Sequence, residues 1–363
     1  MSKPVIKPDY YDNFHCIADK CQFTCCQEWK IAVDDDTYEN WIRTEKEQLE
    51  AGVLTGSVCY KDDQRVIKLN EHMKCPHLNE DGLCKLVLKY GEEFISDTCH
   101  TFPREEHEYD DHVEQNLVLC CPYVIDLINQ SDRFGFNVCF DSKDEIYNLR
   151  MDVIKHFQDD SIEATLEERM LVVYYIMLDA LENGEYKNSQ WEITGDLLKT
   201  IRGFGDNTTD NLDECTELFL DLTDNYMKEG LYQKLLKPLV NLAENEERSP
   251  EKYREFLNIW KKHQKLLIKL MSLEMYGDLQ LPDSDMENVV VKFQWLVMEY
   301  VLFRHMCYLH FLDKGSIGYE DIRTYVVLAG RIMGYDEDDI YEYMENSFEE
   351  LIWDFGYTSL ILV

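Results

Sequence analysis

Ten of the thirteen cysteines lie in the first third of the chain, between Cys16 and Cys121. Thiolates are soft ligands for zinc, iron and iron–sulfur clusters, and several of them must converge to hold one such centre. A cysteine that only fills a core behaves as a small hydrophobe and has no reason to occur in groups. The clustering therefore predicts that this part of the chain folds around a metal ion or an iron–sulfur cluster.

The spacing of these cysteines excludes two well-known types of metal-binding motif. It shows neither the paired CxxC motifs of a structural zinc ribbon nor the CxxxCxxC run of radical enzymes that bind S-adenosylmethionine (SAM). Adjacent cysteines point in different directions on most backbones, so we expect only one of Cys25 and Cys26 to bind while the other supports the site. Spacing does not decide between zinc and iron–sulfur. The candidate ligands, of which we expect four to bind, are Cys16, Cys21, Cys25, Cys26, Cys75, Cys84, Cys99 and Cys121.

The N-terminal sequence has no apolar segment of the kind that a secretory signal contains. We therefore expect a cytoplasmic protein, because reducing conditions favour metal-binding or catalytic cysteines over disulfides. Disulfides and inert buried thiols are the alternatives to a metal centre. The most apolar late stretch, residues 295–312, contains Glu299 and Arg304, which indicates a buried helix rather than a membrane span.

The net charge of −36 restricts the partners. Nucleic-acid phosphates and anionic membrane surfaces both require a basic face, so neither is expected to bind. Strong acidity suits a lysine-bearing substrate, and it equally suits a well-solvated surface that has no partner.

Other polar residues near the cysteines are weaker candidates. Arg104 follows Phe102 and Pro103 and could hold a carboxylate through two hydrogen bonds, although an ordinary salt bridge is an equal alternative. Four histidines lie in polar sequence, so we expect each of them to be solvated rather than bound to metal. These histidines are His77, His100, His107 and His112.

The composition changes near residue 140, which predicts a mainly α protein in two parts. Residues 1–140 are expected to form a small, irregular α+β domain rich in cysteine, and residues 141–363 an α-helical domain. The longest apolar pattern predicts a central helix over 289–311. In the first part we expect strands over 30–33 and 65–69, a helix whose N-cap is Asp35 or Asp36, and helices over 83–90 before Gly91 and over 117–129.

Several motifs in residues 10–130 resemble one known family. They include Tyr11-x2-Phe14-x-Cys16, Cys75-Pro-x-Leu78, Gly82-Leu-Cys84, Ser96-x-Thr98-Cys99-x2-Phe102-Pro103-Arg104 and Cys121-Pro122. This pattern resembles the flagellin lysine-N-methylase family, whose N-terminal part belongs to a wider group of cysteine-rich zinc- or iron-chelating domains. His100 and Cys120 depart from that pattern, since an arginine and a small hydroxyl residue are expected there.

The resemblance implies an enzyme that transfers methyl groups from SAM to lysine side chains of its protein partner, flagellin. It implies an iron–sulfur cluster, most simply 4Fe-4S with zinc as the alternative, in a cysteine-rich part that also binds SAM, with Arg104 as a cofactor contact. A Rossmann-type SAM site is not expected, because the close pair Gly203 and Gly205 has no predicted strand before it. No catalytic base can be named from the sequence. The alternative function is a non-catalytic zinc- or iron-chelating module on a helical interaction domain.

Overall fold

The computed structural model describes residues 3–48, 52–61, 64–204, 207–245, 248–334, 337–348 and 354–363. It confirms a mainly helical protein. In the first 140 residues the helices are α1 (Asp35–Gln48), α2 (Lys85–Tyr90), α3 (Asp97–Thr101) and α4 (Pro122–Gln130), and the strands are β1 (Val5–Ile6), β2 (Val58–Lys61), β3 (Gln64–Ile67), β4 (Arg104–Glu108) and β5 (Val113–Leu117).

The strands form two small sheets. In the first sheet β5 lies in the middle, parallel to β1 on one side and antiparallel to β4 on the other. The second sheet is the antiparallel hairpin of β2 and β3. The predicted strand at 30–33 contributes a single bridge from Ala32 to Val66, so it is shorter than expected.

Local capping explains where three predicted elements begin and end. The α1 helix is capped by Asp34, whose carboxylate accepts from the Thr37 backbone N–H at 2.8 Å, rather than by Asp35 or Asp36. The α2 helix ends at Gly91 as predicted, with a φ of +97° that favours glycine. The predicted helix over 117–129 was wrong at its start, because residues up to Leu117 belong to β5 and Pro122 opens α4.

Residues after 140 are helical, as predicted from their apolar spacing. The helices are α5 (Glu145–Gln158), α6 (Leu166–Asn183), α7 (Thr194–Ile201), α8 (Thr208–Glu229), α9 (Gln233–Asn245), α10 (Pro250–Trp260), α11 (Gln264–Gly277), α12 (Met286–Lys314), α13 (Tyr319–Met333), α14 (Glu337–Phe348) and α15 (Phe355–Leu362). Gly203 follows α7 rather than a strand, and Gly205 lies outside the described residues.

The predicted central helix is α12, which is buried along nearly its whole length. Asp285 and Asn288 form a reciprocal cap at its start, and Gly315 closes it in the left-handed conformation. Helices α6, α8 and α13 pack around it. Arg304 on α12 donates to the backbone carbonyls of Ile361 and Leu362, so it binds the end of the last helix to the central one.

The main hydrophobic core takes residues from both sides of position 140, from Ile6 to Leu362. A second, smaller core lies within the cysteine-rich part around Trp41, whose indole N–H donates to the Phe94 carbonyl at 2.9 Å. The division at residues 140 and 141 stays a prediction. Within the described ranges, every helix is too short or too polar to cross a bilayer.

Candidate functional site

Two backbone segments bring the first cysteine group against the second. The Cys75 backbone N–H donates to the Cys26 carbonyl at 2.8 Å, and the Glu28 N–H donates to the Met73 carbonyl at 2.7 Å. Glu28 and Met73 both adopt positive φ, so both backbone segments turn sharply at this short ladder of two hydrogen bonds. The ladder places the thiols of Cys26 and Cys75 in one region, although 48 positions separate them in the sequence.

Tight turns add two more cysteines to this region. Cys84 pairs with Leu78 across a turn held by the Asn79 side chain, which accepts from the Leu83 N–H at 2.8 Å. Cys99 lies in the short helix α3, where the Ser96 hydroxyl caps its backbone N–H at 3.4 Å. The backbone therefore fixes both cysteines before any metal is considered.

The other predicted ligands lie next to the first group. Cys21 interacts electrostatically with Cys16, with Cys26 and with Cys121, which caps the start of α4. Cys121 is buried and Cys16 is exposed. The second group is linked in the same way: Cys75 interacts with Cys26, Cys84 and Cys99. Cys25 interacts with Cys26 and Cys99, so all eight predicted ligands belong to one network of interacting thiols.

Cys26 is the most acidic thiol in this network. A hydrogen bond with the Cys25 thiol lowers the pKa of Cys26 to about 6, so Cys26 is a thiolate at neutral pH. Burial raises the pKa of Cys75 to about 12 and those of Cys99 and Cys121 to about 11. A soft metal ion would deprotonate these thiols on binding, because thiolates are its ligands.

The thiols of this network are the groups that could bind the metal or cluster that the sequence predicts. All thirteen cysteines are free thiols. Across the described residues, no three or more His, Cys, Asp or Glu side chains stand in an arrangement that would hold a metal ion. The donors are nevertheless sulfur alone, more than four in number and drawn from separate segments, which is the chemistry that zinc and iron–sulfur clusters use. The network therefore fits such a group in kind and number of ligands, and the choice of ligands stays a prediction.

The expectation that the nearby histidines are solvated was wrong for two of them. His77 is buried, bonds the Ser57 hydroxyl at 2.8 Å and packs edge-on against Trp41. His112 is buried and bonded to Asp111 at 2.6 Å and Glu114 at 3.0 Å. Each therefore has a structural partner, which the polar sequence around it did not reveal. His100 is exposed as predicted.

Arg104 lies on β4 and is partly exposed. Its guanidinium donates to the Phe14 carbonyl at 3.1 Å and lies 4.8 Å from the centre of the Phe14 ring. Its predicted contact with a cofactor carboxylate stays a prediction.

Arg331 is a residue of the site that the sequence analysis missed. It lies on α13 but donates to the carbonyls of Phe23, Thr24 and Cys120, at 3.0–3.2 Å. Its guanidinium also lies over the Phe23 ring at 4.4 Å and over Trp29 at 5.1 Å. A single buried side chain thus binds the segment of residues 16–26, which we call the cysteine loop, to the helical part. No local motif around Arg331 marks this role, since its partners lie more than 200 positions away.

A second polar site was also missed. Four carboxyl groups gather between β4 and the helices α11 and α12: Glu105, Glu274, Asp278 and Glu299, beside Lys292. Burial raises the pKa of Glu105 and of Glu299 to about 8, that of Asp278 to about 6, and that of Glu274 well above its ordinary value. We call this group the carboxyl cluster.

The carboxyl cluster predicts a pH-dependent stability. The folded state retains the Glu299 proton up to about pH 8, whereas the unfolded chain releases it at its ordinary, lower pKa. The wild-type protein therefore loses stability as the pH rises between these two values. Glu299→Gln cannot ionise, so its free energy of unfolding relative to wild type should rise by about 1–3 kcal/mol between pH 5 and pH 8.5.

Thermal unfolding at the two pH values measures this effect. Glu251→Gln is the matched control, because Glu251 is exposed on α10, and its effect should be the same at both pH values. An equal effect of Glu299→Gln at pH 5 and pH 8.5 would contradict the raised pKa.

The fold and the site together define a mainly helical protein whose thiol-rich site is bound to the helices through Arg331. A family model described as the FliB lysine N-methylase C-terminal domain matches residues 143–361. The chain belongs to this family, as its resemblance predicted. The matched residues cover the helical part, whereas the motifs that suggested the resemblance lie before residue 130.

Three curated relatives are similar to the chain. Proteins named Lysine-N-methylase from Salmonella choleraesuis and Salmonella typhimurium are each 27% identical over 188 residues, which is 47% of this chain and 47% of the relative. The chain thus spans about half the length of these relatives. A protein named Flagellar biosynthetic protein FliU, from Salmonella muenchen, is 30% identical over 133 residues, which is 35% of this chain and 79% of that protein. No solved structure matches.

Proposed function

We propose that this protein is a SAM-dependent protein-lysine N-methyltransferase and that its substrate is flagellin. The observation that carries the proposal is family membership, together with relatives that are named Lysine-N-methylase. The relative named for flagellar biosynthesis supports flagellin as the protein substrate. The reaction is expected in the cytoplasm, where reducing conditions keep the thiols free.

The cysteine network supplies ligands for the iron–sulfur cluster that we propose. We propose four of these thiols as the ligands: Cys26, Cys75, Cys84 and Cys99. The reason is that Cys75 interacts with each of the other three, and Cys99 interacts with Cys26 and Cys84. Cys25 supports Cys26 through the thiol hydrogen bond. A cluster held by all four thiols would join the separate cysteine segments and would leave no iron position free, so protein side chains would bind the amino and carboxylate groups of SAM. Zinc held by the same four thiols is the alternative.

The protein's own residues have two further tasks. The substrate amine must be neutral before it can attack, although an ordinary lysine has a pKa of about 10.4. It must also lie about 3–3.5 Å from the sulfonium methyl group, in line with the bond that breaks. We propose that Arg104 helps to hold the SAM carboxylate, since its side chain is partly exposed and is fixed by the Phe14 carbonyl.

Transfer of labelled methyl groups from SAM to flagellin tests this function. We expect label in flagellin with the wild-type protein purified without oxygen, and mass spectrometry should place it on lysine side chains. Flagellin with its lysines chemically acetylated is the control and should take up none. A protein that binds iron or zinc but labels no lysine would instead be the non-catalytic chelating module on a helical interaction domain.

A further inference from the structure

The carboxyl cluster lies where three elements meet. Glu105 on β4 stands directly opposite Asn116 on β5, so both side chains lie on the same face of the sheet. Helix α11 packs against β5 and supplies Glu274 near its end and Asp278 just after it. The sheet and this helix therefore direct carboxyl groups at one another.

The central helix completes the cluster. It supplies Glu299 and Lys292, which lie seven positions apart and so share one helix face. Glu274 shares a hydrogen bond with Asp278 and interacts electrostatically with Glu299 and Glu105. Lys292 interacts with Glu105 and Asp278. One ammonium group thus stands among four carboxyl groups.

Buried polar atoms in and beside the cluster have no hydrogen-bond partner. Glu274 is 3% exposed and its Oε2 is unpartnered, and Asn116 is 2% exposed and its Oδ1 is unpartnered. The Asn116 amide nitrogen would lie 1.9 Å from a Cβ added at Gly277, so this side chain reaches α11 between Glu274 and Asp278. The Tyr10 hydroxyl, next to Glu274, is also buried without a partner.

The chemistry of these unpartnered atoms indicates which kind of group could form hydrogen bonds with them. An amide oxygen and a carboxyl oxygen accept hydrogen bonds, and the neighbouring Asp278 carboxylate carries a negative charge. A primary ammonium group brings three N–H donors and a positive charge, which is the complement of that arrangement. Glu105 and Asp278 are partly exposed, so this side of the cluster reaches the solvent.

One loop connects the carboxyl cluster with the proposed cofactor region. Tyr10 interacts with Glu274, and four positions later Phe14 contacts Arg104. Cys16, two positions after Phe14, belongs to the thiol network. The loop thus passes from the carboxyl cluster to Arg104 and then to the cysteines.

We propose that the carboxyl cluster binds the side-chain ammonium of the substrate lysine and that the Asp278 carboxylate accepts its proton. This inference rests on the proposed function. The lysine N–H bond breaks and its proton moves to Asp278. The freed lone pair on nitrogen then forms a bond to the methyl carbon of SAM, and the electron pair of the breaking carbon–sulfur bond stays on sulfur, which becomes a neutral thioether.

The ionisation states are consistent with these roles. Burial raises the pKa of Asp278 only to about 6, so it is an anion at neutral pH, while Glu105 and Glu299, with pKa values of about 8, are largely protonated. The titratable groups facing Asp278 are Glu105 from β4, Glu274 from α11, and Lys292 and Glu299 from α12.

The test compares three variants of the full-length protein in the flagellin assay. Asp278→Asn should lower the methyl-transfer kcat by about 100-fold at pH 7, and the deficit should shrink as the pH approaches 10 because lysine then loses its proton to solvent. Glu105→Gln should raise the KM for flagellin. Glu106→Gln, on the exposed opposite face of β4, is the matched control and should behave as wild type.

A second measurement separates this inference from the proposed function. Butylammonium, a probe for a lysine side chain, should raise the Tm of wild type and of Glu106→Gln by about 3 °C at ten times its Kd, but not the Tm of Asp278→Asn or Glu105→Gln. If wild type labels no lysine yet shows this pattern, the ammonium site stands and the methyltransferase function falls. If wild type labels flagellin while Asp278→Asn keeps its rate and pH profile, the inference is wrong and the function stands. Absence of butylammonium protection in wild type would also overturn it.

Discussion

Cys75→Ser, purified without oxygen, is expected to contain much less iron and acid-labile sulfide than the wild-type protein. The expected decrease is about 10-fold to 100-fold or more. Loss of a residue that only supports a metal ligand already costs metal affinity of this order, so loss of a ligand should cost no less. Cys75 is buried and interacts with Cys26, Cys84 and Cys99, so the proposed set of four ligands is centred on it. Metal and sulfide analysis on matched amounts of folded protein measures the loss.

Cys139→Ser is the matched control. Cys139 is exposed and lies outside the thiol network, so its replacement should leave the iron content unchanged. Equal losses from Cys75→Ser and Cys139→Ser would point to general damage rather than to a ligand. Full iron content in Cys75→Ser would contradict the proposed ligand set. If the wild-type protein instead contains zinc and no sulfide, the site is a zinc site rather than an iron–sulfur cluster.

The adjacent pair gives a finer comparison within the same experiment. Cys26 is the thiolate and Cys25 the hydrogen-bond donor to it, so they should not be equivalent. Cys25→Ser retains a donor group, whereas Cys26→Ser removes the proposed ligand. We expect Cys25→Ser to keep most of the iron and Cys26→Ser to lose it. The reverse order would exchange their roles.

The sequence predicted those parts of the fold that local chemistry determines. Gly91 ends α2 because a helix commonly closes in a conformation that glycine adopts without strain, and the spacing of apolar residues reveals α12 over most of its length. The start of α4 was missed because residues 113–117 pair with β1 and β4, and that pairing is not visible in their own order.

The site was predictable only where residue type alone carries the chemistry. Cysteines in groups suggest a common centre whatever their order. The eight candidate thiols interact with one another, and their binding of a metal stays a prediction. Glu105 could not be singled out in the same way, since a fifth of the chain is acidic and only the packing of β4 against α11 and α12 gives this residue its neighbours. Buried His77 was misjudged for the same reason, because its partners Ser57 and Trp41 are distant in sequence.

The cysteine loop should depend on a residue that the family match places in the helical part. Arg331 is 5% exposed and donates to the backbone carbonyls of Phe23, Thr24 and Cys120. Arg331→Met keeps much of the apolar stem but removes these three hydrogen bonds from a guanidinium, and the loss of such bonds is costly. We expect the free energy of unfolding to fall by about 2–4 kcal/mol, measured by denaturant titration.

A local readout distinguishes loss of this anchor from general destabilisation. Lys20 is exposed immediately before Cys21, so trypsin should cut after Lys20 faster in Arg331→Met than in wild type, under conditions where both proteins stay folded. Arg43→Met is the control, since Arg43 is exposed and donates to Asn40 on its own helix, and it should change stability by less than about 0.5 kcal/mol. If Arg331→Met left both stability and cleavage at Lys20 unchanged, the cysteine loop would be held by its own contacts, and the helical part would have no direct role in shaping the thiol site.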